Sequence, residues 1–320
     1  MIFLYILIFM ACCVALYFSG EWVVNGLMRI ARFLGWREFV VAFFVMAFAA
    51  SLPNLFVGIT SALHKVPQLS FGDVAGNNLI ALTLAVTLGV LFAKNKEIPA
   101  ESRTVQTTSV FTILAALLPL FLILDGTLSR IDGSLLIGFF LLYNFWLFSK
   151  KERFTKIYDT YEVTIDKKLK NFLGDLGKLI LGIFLLIIAA QGIVISAKFF
   201  ALAFNLPILL IGILIVGLGS ALPETYFSVI SAKRGETWMI LGNLMGAVIV
   251  PATLVLGIVA LICPIEISDF SPLIIARFFL IISAIFFLLF VKTHRKITKK
   301  EALFLLGIYI AFVLTEIFIK

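Results

Sequence analysis

Charge is scarce in this chain. Asp, Glu, Lys and Arg make up 14% of its 320 residues, whereas 62% are apolar and 33 are Phe. A water-soluble domain has too little polar surface to carry such a composition, so the chain has to sit in a bilayer. Cysteine is nearly absent as well. Cys12, Cys13 and Cys263 lie in or beside apolar runs, with the spacing of neither a disulfide framework nor a metal finger, and they read as packing residues. The only histidines, His64 and His294, stand in basic loop sequence with no carboxylate, serine or cysteine constellation around them. A catalytic pair is therefore missing, and neither an enzyme nor a bound cofactor is expected. Acidic residues are outnumbered, 18 against 26 basic ones, for a net charge of +8. The basic residues fall in short runs between apolar segments, as loops facing anionic lipid do, so the expected partner is the lipid bilayer and not a nucleic acid.

What the chain has in abundance is apolar segments long enough to cross a hydrocarbon core of about 30 Å. The first, Met1 to Phe18 and onward to Ile30, has no basic residue ahead of it and no small-x-small cleavage site, so it reads as a retained span. Others follow at 37–64, 67–93, 104–124 and 131–149, and then at 173–203, 205–232, 236–262, 271–292 and 301–319. The expected fold is all-α and polytopic, with ten transmembrane helices. It divides into a five-helix unit at 1–149, a polar linker at 150–172 and a second five-helix unit at 173–320. The linker mixes basic and acidic residues without the clustered acidic loop of a calcium sensor.

The two units repeat one another. With the second slid back by 170 positions, Leu52/Leu222, Pro53/Pro223, Ser61/Ser231, Ala62/Ala232, Gly72/Gly242, Gly76/Gly246, Thr83/Thr253 and Leu84/Leu254 coincide without a gap. Each copy is a proline-broken apolar segment, a short turn, and a second segment that opens with a G-x-x-x-G step. Loops one, three, five, seven and nine carry 3, 3, 7, 2 and 5 Lys or Arg, against Lys65, Arg130 and Lys198 in the even loops. Odd loops are therefore expected in the cytoplasm and both termini outside, in the plasma membrane of a microbe. An odd number of spans per unit makes the repeat inverted, an arrangement that places polar cargo at the bilayer midplane.

Polar groups and helix breakers inside lipid-like sequence are costly and mark such sites. Pro53 and Pro223 each remove an amide hydrogen, which frees backbone carbonyls near Phe48, Ala49 and Gly219 in mid-membrane. Hard cations want oxygens of that kind. Ser51, Ser220 and the Glu224 carboxylate add further oxygens. Gly72, Gly76, Gly242 and Gly246 serve either close helix packing, of span 3 on span 2 and span 8 on span 7, or direct ion contact. Asn77, Asn78 and Asn243 suit interhelical hydrogen bonds or ion ligation. Asp73 is either an acid reaching inward or a helix N-terminal charge just after Pro67.

The L-P-N and L-P-E segments, each followed some twenty residues later by G-D/N-x-x-G, resemble the paired repeats of the cation/calcium exchanger superfamily, microbial sodium/calcium exchangers above all. The resemblance covers both repeats and the ten-span plan. It implies that spans 2 and 7 break at the prolines and pair with spans 3 and 8 around the ions, while spans 1 and 6 slide against that core. The chain also departs from the pattern. Where the family reads G-T-S-L-P-E, Ala49-Ala50-Ser51-Leu52-Pro53-Asn54 lacks the Thr and the Glu, and in the second copy Ser220 and Ala221 replace Thr and Ser while Glu224 keeps the acid. Ala81 and Pro251 stand where the following helices end their polar motif.

The resemblance therefore implies a secondary cation antiporter, with Glu224 the central metal ligand and Asn54 its symmetry mate. Its transported ions are inorganic cations, calcium, sodium or protons. With one carboxylate lost to Asn54, a monovalent cation/proton exchanger or a transport-inactive homologue is the alternative, and an Asp73 that reaches in would restore a divalent ion.

Overall fold

The computed structural model describes residues 1–33, 51–149, 165–235, 237–267 and 271–318. The chain is a ten-span helical membrane protein built as two inverted five-helix repeats. Span 1 is one helix, Ile2–Phe33, and span 6 is another, Ile165–Phe204. Span 2 is described from Leu52 to Leu63; its expected first half falls among residues 34–50, outside the described residues. Span 3 runs Pro67–Phe92, span 4 Arg103–Leu122 and span 5 Arg130–Phe148. The second repeat continues with span 7 at Ile208–Arg234, span 8 at Thr237–Val250 and on through Leu256–Ile262, span 9 at Ser271–Thr293 and span 10 at Lys299–Phe318.

One boundary differs from the sequence expectation. Lys150 to 164 lie outside the described residues, but from Ile165 the stretch read as the end of the linker is already helix. Asp166, Lys167, Lys168 and Lys170, read as part of the solvated linker, lie in the first turns of this helix. At 1.5 Å per residue a 40-residue helix is about 60 Å long, twice a bilayer core, so its charged first turns continue a membrane helix into water.

The repeat is visible in local backbone detail. Spans 3 and 8 each contain one π-helical turn, Ala81–Ala85 and Pro251–Val255, at positions 170 apart. Inside those turns Thr83 Oγ1 donates to the Leu79 carbonyl at 2.5 Å and Thr253 Oγ1 to the Ile249 carbonyl at 2.6 Å, the same bond in both copies. A hydroxyl bonded back onto the ladder competes with it and favours such irregularity. Capping recurs as well. Ser129 with Asp132 opens span 5, and Thr298 with Glu301 opens span 10.

Two antiparallel ladders tie the repeats together. β1 (Glu97–Pro99) pairs with β4 (Lys296–Thr298), and β2 (Thr127–Leu128) pairs with β3 (Ile265–Glu266). The first joins loop three to loop nine and the second joins loop four to loop eight. Odd loops thus meet odd and even meet even, on opposite faces of the bundle, as ten membrane crossings require.

Apolar packing falls into two clusters. Spans 3, 4, 5, 8, 9 and 10 supply most of the larger one. Spans 1 and 6 dominate the smaller, together with Val57, Leu69, Ile211 and Val216. Gly192 admits Cys12 of span 1 so closely that a Cβ there would stand 2.3 Å from its sulfur. His64, at the end of span 2, holds Gln191 of span 6 through Nε2 and Oε1 at 2.6 Å, and the Lys198 ammonium donates to its carbonyl at 3.2 Å.

Candidate ion site

The site begins with the two proline breaks. Leu52–Leu63 and Leu222–Arg234 each carry the proline at their second position, and the residues just before, Ser51 (φ −95°, ψ −6°) and Ala221 (φ −83°, ψ −6°), share one conformation. Because Pro223 has no N–H, the Gly219 carbonyl loses its intrahelical donor at the level where Ser220 and Glu224 stand. Phe48 and Ala49, the expected counterparts, lie outside the described residues.

Span 3 crosses this break at backbone distance. A Cβ on Gly72 would lie 2.2 Å from the Leu209 carbonyl oxygen, one on Gly76 2.1 Å from that of Ile213, and one on Gly217 2.9 Å from the Gly76 Cα. The first G-x-x-x-G step therefore seats span 3 on span 7, across the repeats, and not on span 2 as the sequence suggested. Glycines allow such an approach because two helix backbones meet with no side chain between them. A Cβ on Gly242 or Gly246 would meet no atom of the described residues within 4 Å; the symmetric partner segment, 39–47, falls outside them.

This crossing carries Asp73 into the site. Its side chain is fully buried, and Oδ1 accepts a 2.6 Å hydrogen bond from Ser220 Oγ, one helical turn before Glu224. Ser220 and Glu224 stand one turn apart on span 7, so Asp73 bonds the helix segment that carries Glu224. Of the two alternatives for Asp73, the inward-reaching acid is the one observed. Its position in the second repeat is Asn243, and that of Glu224 in the first is Asn54. Each repeat thus supplies one acid and one amide, at exchanged positions.

Asn77 lies one turn beyond Asp73 and donates through Nδ2 to the carbonyl of Ala247, its own mate 170 positions on, at 3.2 Å. The pseudo-twofold axis passes between these two residues. The residues' other polar atoms are left over. Asn54 Oδ1, Asp73 Oδ2, Asn77 Oδ1, Asn78 Oδ1 and Glu224 Oε2 are buried with no hydrogen-bond partner among the described residues. Ser51 is buried at the start of span 2. Asn243 is half-buried, its Nδ2 without a partner, and no hydrogen bond joins it to Asp73, Ser220 or Asn77.

Two side chains were missed in the sequence. Ser70 is fully buried with an unpartnered hydroxyl, and its spacing to Asp73 and Asn77 (i, i+3, i+7) puts all three on one helix face. That spacing was the available signal. Ser228, also buried, donates to the Glu224 backbone carbonyl at 2.9 Å. A small, largely apolar cleft between span 1 and the proline breaks is lined by Cys13, Tyr17, Pro53, Gly219, Ser220 and Pro223. Among the described residues no three His, Cys, Asp or Glu gather. A cation beside the Asp73–Ser220 pair would meet carboxylate and hydroxyl oxygens, a donor type suited to hard ions.

The same architecture occurs in known proteins. Residues 4–149 and 175–318 match the family model described as sodium/calcium exchanger protein. An uncharacterized membrane protein of Methanocaldococcus jannaschii is 28% identical over 299 residues, 93% of each chain. The sodium/calcium exchanger MaX1 of Methanosarcina acetivorans is 25% identical over 336 residues, covering 94% of this chain and 95% of that one. A solved structure of the sodium-calcium exchanger NCX_Mj soaked with sodium superposes with a TM-score of 0.64 at 26% identity, covering 98% and 99% of the two chains. With both repeats matched from end to end, the chain belongs to the sodium/calcium exchanger protein family of integral membrane cation antiporters.

Proposed function

We propose that this protein exchanges a divalent cation of the calcium class for sodium by alternating access at the site between Asp73 and Glu224. The observation that carries the reading is the set of five buried side-chain oxygens without hydrogen-bond partners, on spans 2, 3 and 7. A buried polar atom left unpaired costs about 1–3 kcal/mol, and a carboxylate more, so unpaired oxygens in this number suit a ligand. A hard cation satisfies several of these oxygens at once. Asp73 replaces the negative charge absent at Asn54, which favours a divalent ion over the monovalent or proton-only alternative. The names of MaX1 and NCX_Mj supply sodium as the counter-ion.

In this reading Glu224 and Asp73 are the charged ligands, Asn54, Asn77, Ser51 and Ser220 supply neutral oxygens, and the broken helices at Pro53 and Pro223 supply carbonyls. The basic odd loops support a cytoplasmic linker with both termini outside the cell membrane. Two measurements test the reading together: sodium-gradient-driven uptake of labelled calcium into proteoliposomes, and thermal stabilisation by each ion. A ligand bound by the folded state alone at 100 times its Kd adds about 2.7 kcal/mol. Uptake without a sodium requirement would favour the proton alternative. Neither uptake nor an ion-dependent midpoint would leave the inactive homologue.

A further inference from the structure

We infer that Glu21 of span 1 and Arg234 of span 7 form an ion pair in a second conformation of this protein, in which the His64–Gln191 bond is broken. The inference rests on the alternating-access reading above and assigns the contact that closes the opposite face. The register of the repeats carries it. Slid back by the same 170 positions, the chain ahead of the proline breaks also coincides, with Val24 on Val194 and Ala31 on Ala201, and no gap intervenes. This sets Arg234 on His64 and Glu21 on Gln191. His64 and Gln191 are half-buried and joined at 2.6 Å towards the even-loop face. Their mates, towards the odd-loop face, are exposed, and neither has a hydrogen bond or ion pair among the described residues.

The packing has the same asymmetry. Span 6 lies along Leu52–Leu63, whereas span 1, its mate, has no comparable packing on Leu222–Arg234 among the described residues. Two segments of matched sequence thus stand in two arrangements within one chain, closed at one face and parted at the other. An inverted repeat whose halves exchange arrangements passes into a state of opposite access with its contacts conserved in kind. Spans 1 and 6 make that move together. A Cβ on Gly192 would stand 2.3 Å from the Cys12 sulfur and one on Gly182 2.7 Å from Val23 Cγ2, and Tyr5 stacks on Phe199 at 3.8 Å, so close a fit that the two helices shift as one body. As span 6 leaves His64, span 1 brings Glu21 to Arg234. The reach is sufficient, because Glu matches Gln in length and Arg exceeds His. Exposed ion pairs of this kind bias an equilibrium about two- to fivefold.

The test is reversible bridging of paired cysteines by a short bis-methanethiosulfonate, which spans thiols too far apart for a direct disulfide. In a background of Cys12→Ala, Cys13→Ala and Cys263→Ala, the substitutions His64→Cys, Gln191→Cys, Glu21→Cys and Arg234→Cys are combined in one protein and treated in proteoliposomes under sodium and under calcium. Free thiols are then capped, intact mass counts the bridges in each molecule, and peptide mass locates them. We expect both bridges to form, each in separate molecules. Both in one molecule, or no bridge between positions 21 and 234 under either ion, overturns the inference. The charge is tested with cysteines at 64 and 191 alone. Glu21→Lys should speed that bridge about two- to fivefold, and adding Arg234→Glu should restore the original rate. A rate unmoved by Glu21→Lys, or moved and not restored, removes the ion pair. These readouts need no transport. Sodium-driven calcium uptake by the unmodified protein decides the antiport reading separately, so exclusive bridges without uptake would remove that reading and leave the conformational exchange.

Discussion

Gly76→Ala tests whether the crossing of spans 3 and 7 is what builds the site. The added methyl would stand 2.1 Å from the carbonyl oxygen of Ile213 and 2.9 Å from its carbonyl carbon, and both are backbone atoms that cannot rotate away. Ordinary contact begins near 3.4 Å, so the helices must part by about 1.3 Å at this level. The Ser220–Asp73 bond, 2.6 Å long and one turn away on span 3, would stretch to roughly 3.9 Å, beyond hydrogen-bonding reach. Overpacking of this kind costs about 1–3 kcal/mol, and backbone neighbours place it at the upper end. Thermal unfolding in detergent, with and without saturating calcium, gives both readouts. We expect a lowered midpoint and a lost calcium-dependent shift. Gly138→Ala is the control, since a Cβ there meets no atom within 4 Å and the helix gains from alanine. A Gly76→Ala protein that keeps the full calcium-dependent shift would refute the link between glycine packing and ion binding.

Glu224→Gln keeps the side-chain shape and removes a core charge; flux should stop while the ion-free midpoint holds or rises, and transport at the unmutated rate would remove Glu224 from the site. Asp73→Asn should weaken calcium binding by about 2–4 kcal/mol, some 30- to 1,000-fold, while sodium binding falls less, because attraction scales with the product of charges. Calorimetry showing equal losses for both ions would contradict the two-carboxylate account. For topology, a single cysteine introduced within 150–164 should resist impermeant thiol reagents applied to intact cells, and labelling from outside would invert the assignment.

Much of this was legible because inverted repeats write their symmetry into the chain. The 170-residue register, read from Pro53/Pro223 and Gly72/Gly242, reappears as a hydrogen bond between Asn77 and Ala247 and as matched π-helical turns. The reach of Asp73 was not legible. It depends on which helix the glycine face of span 3 meets, and a G-x-x-x-G step states that a partner comes close without naming it. The partner proved to be span 7, and the acid came with it. The strands escaped notice because each is only two or three residues long, and pairings between residues so far apart leave no local pattern. The start of span 6 was not legible because charged residues such as Asp166 and Lys167 mark no helix end, and the helix begins at Ile165, ahead of its apolar run.

The ladders bear on how the protein is made. Glu97 and Lys296, whose side chains pair diagonally across β1 and β4, are separated by 199 residues. At 5–20 residues per second the ribosome needs about 10–40 s to cover that interval. During it spans 4 and 5 are completed, and the edges of β1 and then of β2 wait unpaired for strands that exist only in the second half. Neither repeat is thus a finished folding unit on its own; each closes its rim with strands borrowed from the other, one on either face of the membrane. The late step of biogenesis is this mutual closure, and a chain stalled between the halves would present two unpaired strand edges to the quality-control machinery.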